Sequence, residues 1–72
     1  MSSDMEFFVR RVSSLKKRAY NLARDTDLLI ESMYPLEACY FEDALRYMAD
    51  ANMNAYNAVM DAEREARDDK LI

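Results

Sequence analysis

The side chains that most often carry chemistry in proteins are scarce in this 72-residue chain. It contains no histidine, the usual acid, base and metal ligand near neutral pH, and Cys39 is its only cysteine. An internal disulfide is therefore excluded, and the common zinc sites lack their ligands. Because no histidine is present to activate the thiol, we interpret Cys39 as a small packing residue; a reactive thiol at a helix start is the alternative.

Carboxylates occur in adjacent pairs, at Glu42 with Asp43 and at Asp68 with Asp69. Di-iron helix bundles require inward Glu-x-x-His motifs, which a chain without histidine cannot form. The absence of glycine also excludes the phosphate-binding loop and the dinucleotide fingerprint. We interpret the paired carboxylates as solvent-exposed helix charges. The sequence thus predicts no catalytic residue, no cofactor site and no metal site, and we expect that the protein is not an enzyme.

The composition predicts an all-α fold. Glycine is absent, Pro35 is the only proline, and residues that favour helix are abundant. Proline restricts the residue before it and cannot donate a backbone hydrogen bond, so it should interrupt the helix. We predict a single domain over residues 1–72, with helix 1 at about residues 4–33, a turn at about 34–36 and helix 2 at about 36–68. The arrangement favoured is a hairpin of two long antiparallel helices; a kink between two arms is the alternative.

Apolar residues recur at alternating steps of three and four in both halves, which is the pattern of a helix that packs along one side. In helix 1 the pattern has one polar member, Thr26, and in helix 2 it has Asn52. The predicted interface of helix 1 is Met5, Phe8, Val12, Leu15, Ala19, Leu22, Thr26, Leu29 and Met33. That of helix 2 is Phe41, Leu45, Met48, Asn52, Ala55, Val59, Ala62 and Ala66.

Helix 2 is apolar over more of its circumference than helix 1 can cover. A helix of this kind is normally surrounded by other helices, and a chain this short has a marginal core of its own. Small side chains also let helices approach closely, and helix 2 contains such a series: Ala44, Ala51, Ala55, Ala58 and Ala62. We therefore expect a homodimer in which two hairpins form a four-helix bundle with two-fold symmetry.

The favoured function is that of a small regulator or inhibitor that docks a helical surface on a protein target. Tyrosine and methionine are common in interfaces, and helix 2 has them on two flanks beside its predicted interface. The alternative for these residues is that they fill the core of the dimer. The candidate protein-binding residues are Tyr40, Tyr47, Met53, Tyr56, Met60 and Asp50.

Two nucleic-acid hypotheses remain open. Basic residues recur every seven positions in helix 1, and a dimer would double them into a stripe suited to phosphates. The candidate residues are Arg10, Lys17, Arg18, Tyr20, Asn21 and Arg24, and the alternative is a solvated face that balances the acidic helix 2. Conversely, the net charge of residues 31–72 is −6, from four basic and ten acidic side chains. The alternative hypothesis for this half is that it imitates nucleic-acid phosphates and blocks a protein that binds them.

No stretch of the sequence is apolar and long enough to span a membrane, and the first residues lack the basic-then-apolar order of a signal peptide. Together with the single cysteine, this pattern predicts a cytoplasmic protein without a membrane partner.

Overall fold

The chain folds into two helices that pack against each other along their length. In the computed structural model, which describes residues 3–33 and 39–70, helix α1 spans Ser3–Glu31 and helix α2 spans Glu42–Asp68. A short 3-10 turn, Cys39–Phe41, precedes α2. Contacts between the first half of α1 and the second half of α2 show that the helices are antiparallel. The predicted all-α hairpin is therefore confirmed, and the kinked arrangement is excluded.

The helix ends near the hairpin turn differ from the predicted ones. α1 stops at Glu31, and the backbone amides of Ser32 and Met33 donate to the carbonyls of Leu29 and Ile30, which tightens the last turn. The α-helical part of α2 begins only at Glu42, because the residues just before it form the 3-10 turn. The predicted turn at 34–36, with Pro35, lies outside the described residues.

Five of the nine residues predicted for the interface of helix 1 are exposed. The interface contains Val12, Ala19, Thr26 and Met33 as predicted, and its other members include Val9, Lys16, Ala23 and Ile30. The exposed predicted members are Met5, Phe8, Leu15, Leu22 and Leu29, with Phe8 62% and Leu29 57% accessible. The prediction was wrong for this set because the apolar stripe is wider than one interface, and periodicity alone does not show which part of it meets the partner helix.

The same rotation occurs in α2. Leu45, Asn52, Val59 and Ala66 lie at the interface as predicted, and Glu42, Ala49, Tyr56 and Glu63 complete it. The predicted members Phe41, Met48, Ala55 and Ala62 are exposed. The observed packing brings the small residues Ala23 and Ala49 into the buried part of the interface, which allows the helix axes to approach closely. Larger side chains are consequently left outside.

The core of the hairpin is small. Its buried apolar members are Ala23, Ile30, Met33 and Ala49, and no large side chain within the described ranges is completely enclosed. The buried polar residue Thr26 satisfies its hydroxyl locally, since Oγ1 donates a 2.7 Å hydrogen bond to the carbonyl of Leu22. Thr26 is thus accommodated without a partner from the other helix.

One ion pair joins the two helices within the described part of the chain. Nζ of Lys16 donates to Oε1 of Glu63 at 2.7 Å, and the two side chains are only 20% and 14% accessible. The other ion pairs link residues three or four positions apart in the same helix. Because this pair is half-buried, removing one partner leaves a poorly solvated charge, which costs more than the loss of an exposed pair.

We predict that Lys16→Met lowers the free energy of unfolding by roughly 1–3 kcal/mol, because Glu63 then lacks its partner. The double replacement Lys16→Met with Glu63→Leu should restore the stability, since both charges are then removed from the interface. Urea unfolding followed by circular dichroism measures the differences at equal protein concentration. Lys17→Met, at a neighbouring exposed position, is the control, and equal stability of the two single variants would contradict the prediction.

Candidate protein interfaces

Eight of the exposed apolar residues lie on one side of the hairpin, which we call the apolar face. On each helix its members are spaced by seven residues and lie on one flank of the interhelical interface. Because α1 and α2 are antiparallel, the flank of α1 and the flank of α2 that hold these residues lie on the same side of the hairpin. The apolar face consists of Phe8, Leu15, Leu22 and Leu29 of α1 with Phe41, Met48, Ala55 and Ala62 of α2.

Two shallow grooves show that both helices contribute to this surface. At the open end of the hairpin, a groove of about 300 Å³ has almost entirely apolar walls; among its lining residues are Phe8, Val12, Ala58, Ala62 and Ala66. Nearer the turn, Leu15 and Leu22 border a second groove together with Asn52. The apolar face therefore has relief into which side chains from another molecule can pack.

The accessible surface of the chain is larger than that of a compact protein of its mass. It measures 5902 Å² for 8.5 kDa, whereas a folded monomer of that mass exposes about 4,650 Å². The radius of gyration is 16.3 Å, compared with about 11 Å for a compact domain of this length. The excess of about 1,250 Å² reflects a layer one helix thick, 52 Å long and 13 Å deep, and this layer has no second layer to cover it.

The predicted protein-binding residues divide into two groups. Tyr40 and Tyr47 project from the side of α2 that is turned away from α1 and are 91% and 76% accessible; Asp50 is exposed one turn after Tyr47. Met53 and Tyr56 are half-buried beside α1, and the ring of Tyr56 packs on that of Tyr20 with centroids 5.0 Å apart. Met60, the sixth candidate, is exposed. The six residues therefore do not form a single patch.

The predicted nucleic-acid-binding residues lie on the side of α1 away from the apolar face. Lys17, Tyr20 and Asn21 border a shallow groove with Tyr56. Arg24 lies over the ring of Tyr20 at 5.9 Å. Arg10 is 3.9 Å from Glu6, whereas Arg18 is exposed at the edge of the groove that Leu15 and Leu22 border. The structure thus brings Lys17, Tyr20 and Arg24 together but separates Arg18 from them.

The acidic residues of α2 do not form an uninterrupted negative surface. Glu42 accepts hydrogen bonds from Arg46, and Asp61 accepts one of 3.0 Å from Arg64. These pairs neutralise charge at both ends of α2, which argues against a mimic of nucleic-acid phosphates. Asp43 and Asp50 make no ion pair within the described residues.

The sequence did not predict that the leucine-rich half of the apolar face, on α1, lies on the outside of the hairpin. The residues were recognised as apolar and regularly spaced, but they were assigned to the contact between the helices. A signal was present in the neighbouring apolar residues Val9, Ala23 and Ile30, which follow the same seven-residue spacing with Lys16 between the first two. A helix with two adjacent apolar sets has enough apolar surface for two neighbours.

Among the residues described, no three candidate metal ligands of the cysteine, aspartate or glutamate type cluster. Neither described helix is sufficiently long and apolar to cross a membrane. No protein family, curated protein or solved structure matches the chain in the comparisons.

Proposed function

We propose that this chain is a small non-enzymatic protein that acts by binding other proteins, and that it does so as a homodimer. The observation that carries the proposal is the apolar face, which extends over both helices and which residues 3–33 and 39–70 leave exposed. Contiguous apolar surfaces of this kind mark binding sites in soluble proteins. A second copy covers the face by forming a four-helix bundle.

The available area supports a stable dimer. A standard protein interface removes about 800 Å² of surface from each partner, and the excess of about 1,250 Å² on each chain is large enough to supply that area. The small core of the hairpin points in the same direction, since Ile30 and Met33 are its only large buried apolar residues in the described ranges. In the dimer the apolar face becomes the main core, and the stability of the fold depends on association.

The surface that remains for a target is the outer side of α2. Tyr40 and Tyr47 form an exposed aromatic pair there, and the carboxylates of Asp43 and Asp50 flank them without partners in the described residues. Aromatic anchors beside unpaired acids suit a target groove with basic residues. The proposed role is that of a cytoplasmic regulator or inhibitor, which acts by occupying such a groove.

We predict that the chain is a dimer and that Leu22→Asp disrupts it, because each copy would bury a carboxylate in the four-helix core. Light scattering after size exclusion should give twice the 8.5 kDa of one chain for the unchanged protein, and a lower mass for the variant. Asn57→Ala, an exposed change in α2 outside the apolar face, is the control and should preserve the dimer. A well-folded monomer of the unchanged chain would contradict the proposal.

We predict that Tyr47→Ala weakens target binding about tenfold or more while the dimer persists, because it removes a large aromatic anchor from an exposed site. The immobilised chain is incubated with nuclease-treated extract of its native host, and a stoichiometric bound protein is quantified. Asn57→Ala, an exposed polar position further along α2, is the matched control. Retention of the same protein by a Tyr40→Ala, Tyr47→Ala chain would show that this side of α2 is not the docking surface.

A second candidate function is binding of RNA or DNA, and one observation favours it. Arg10, Lys17 and Arg24 lie away from the apolar face, so dimerisation leaves them accessible, and Lys17 and Tyr20 border the same groove. The net charge of −4 opposes non-specific binding. Nucleic acid is therefore the second choice of partner.

For this candidate, replacing Arg10, Lys17 and Arg24 with alanine should reduce affinity for a single-stranded RNA by roughly an order of magnitude or more, because phosphate contacts are lost. Fluorescence anisotropy at several salt concentrations measures the affinity and its salt dependence. The triple variant should also have a shallower salt dependence than the unchanged chain. Absence of binding by the unchanged chain at low salt would exclude this function.

A further inference from the structure

The leucine-rich part of the apolar face on α1 and a series of exposed alanines on α2 have their centres at one level of the hairpin. On α1 the residues Phe8, Leu15, Leu22 and Leu29 are centred between residues 18 and 19. On α2 the alanines Ala51, Ala55, Ala58 and Ala62 are centred between residues 56 and 57, and the larger residues of the apolar face on α2 lie nearer the turn. The contact between the rings of Tyr20 and Tyr56 shows that these two centres lie at the same height along the molecule.

A shared centre is what one kind of two-fold axis requires. An axis that crosses the hairpin at this level, parallel to the apolar face and perpendicular to the helices, places α1 on α1 and α2 on α2 with opposite directions. Phe8 then meets Leu29 of the second copy, and Leu15 meets Leu22. The alanines of the two α2 helices meet each other, which permits close contact. An axis along the helices does not require the two centres to coincide.

The charges beside the apolar face fit the same arrangement. Arg11 and Asp25 border the leucines on α1, and neither makes an ion pair within the described part of its own chain. The proposed axis brings Arg11 opposite position 26 of the second copy, one residue from Asp25 and within reach of a long arginine side chain. Two equivalent pairs form in the dimer, one at each side of the axis.

The distribution of net charge opposes the alternative in which both turns lie at the same end. Residues 18–57, which form the half near the turn, have three basic and seven acidic side chains, a net charge of −4. The remaining residues, at the open end, have seven of each and no net charge. Placing two turn halves together concentrates −8 at one end, whereas an antiparallel pair of hairpins places each charged half beside a neutral one.

We propose that the second copy binds the apolar face with its hairpin reversed, so that the turn of one chain lies beside the open end of the other and α1 packs on α1. This inference rests on the proposed homodimer and specifies its geometry. The arrangement also places Met48 of one copy opposite position 65 of the other, beside the groove at the open end that Ala62 and Ala66 line.

The single cysteine supplies a test that needs no substitution. Cys39 is exposed at the turn end, so a nitroxide label attached to it reports the distance between the two turns. With the axis near residue 56, the two Cys39 sites should be about 50 Å apart, from a rise of 1.5 Å per residue. Turns at the same end would place them within about 25 Å, two helix diameters.

Pulsed electron paramagnetic resonance measures this distance in the intact dimer, whose mass is checked by light scattering on the same labelled sample. A distribution near 50 Å supports the reversed arrangement. A dimeric mass with a short distance overturns the arrangement and leaves the homodimer standing. A monomeric mass overturns both, so the two failures are distinguishable.

Charge reversal tests the packing of α1 on α1. Arg11→Glu alone should raise the dimer dissociation constant about threefold to tenfold at low salt, because two attractive pairs become repulsive. Adding Asp25→Arg should restore the affinity. Arg18→Glu is the matched control, because Arg18 lies near the axis and faces Arg18 of the second copy. Reversing its charge replaces one repulsive pair with another and should leave the dissociation constant unchanged. A double variant that dissociates as readily as the single one would overturn the contact between the two α1 helices.

Discussion

The close approach of the two helices is the constraint on which the rest of the structure depends. Ala23 and Ala49 are buried at their contact, and neither has a side chain long enough to hold the axes apart. The helices therefore meet through small residues and place their larger apolar side chains outside. A hairpin built in this way gains little core of its own, and it acquires a face whose burial requires another molecule. The association that we propose thus follows from the packing of the single chain.

The polar residues at the contact select the observed rotation of the helices. Lys16 and Glu63 both sit in the interface and satisfy each other at 2.7 Å, whereas Thr26 and Asn52 bond to carbonyls of their own helices. A rotation that buried the leucines instead would move Lys16 and Glu63 apart or expose them. Because a half-buried pair with one member missing is costly, the ion pair favours one register of the antiparallel helices.

The helices and their hairpin arrangement followed from the sequence, because helix formers are abundant and the apolar period is regular. The rotation of each helix did not follow. Leu22 and Ala23 are adjacent and both apolar, so periodicity cannot decide which of them faces α2; in the structure the smaller Ala23 is buried and Leu22 is exposed. The site was predictable to a similar degree. Tyr40 and Tyr47 were identified as surface residues, whereas Tyr56 was placed with them although its ring packs against Tyr20.

The two sides of α2 differ in side-chain size and charge, and this difference links the fold to the proposed function. The side with Ala55 and Ala62 is flat and apolar, which suits a neighbour that repeats the same surface. The side with Tyr40 and Tyr47 has large, separated anchors among carboxylates, and a two-fold contact between such sides would set like charges against each other. The proposed self-association through the first side would therefore leave the second free for a partner of opposite charge. The proposed dimer would present two copies of that surface, so a target with two sites would be bound more tightly than one with a single site.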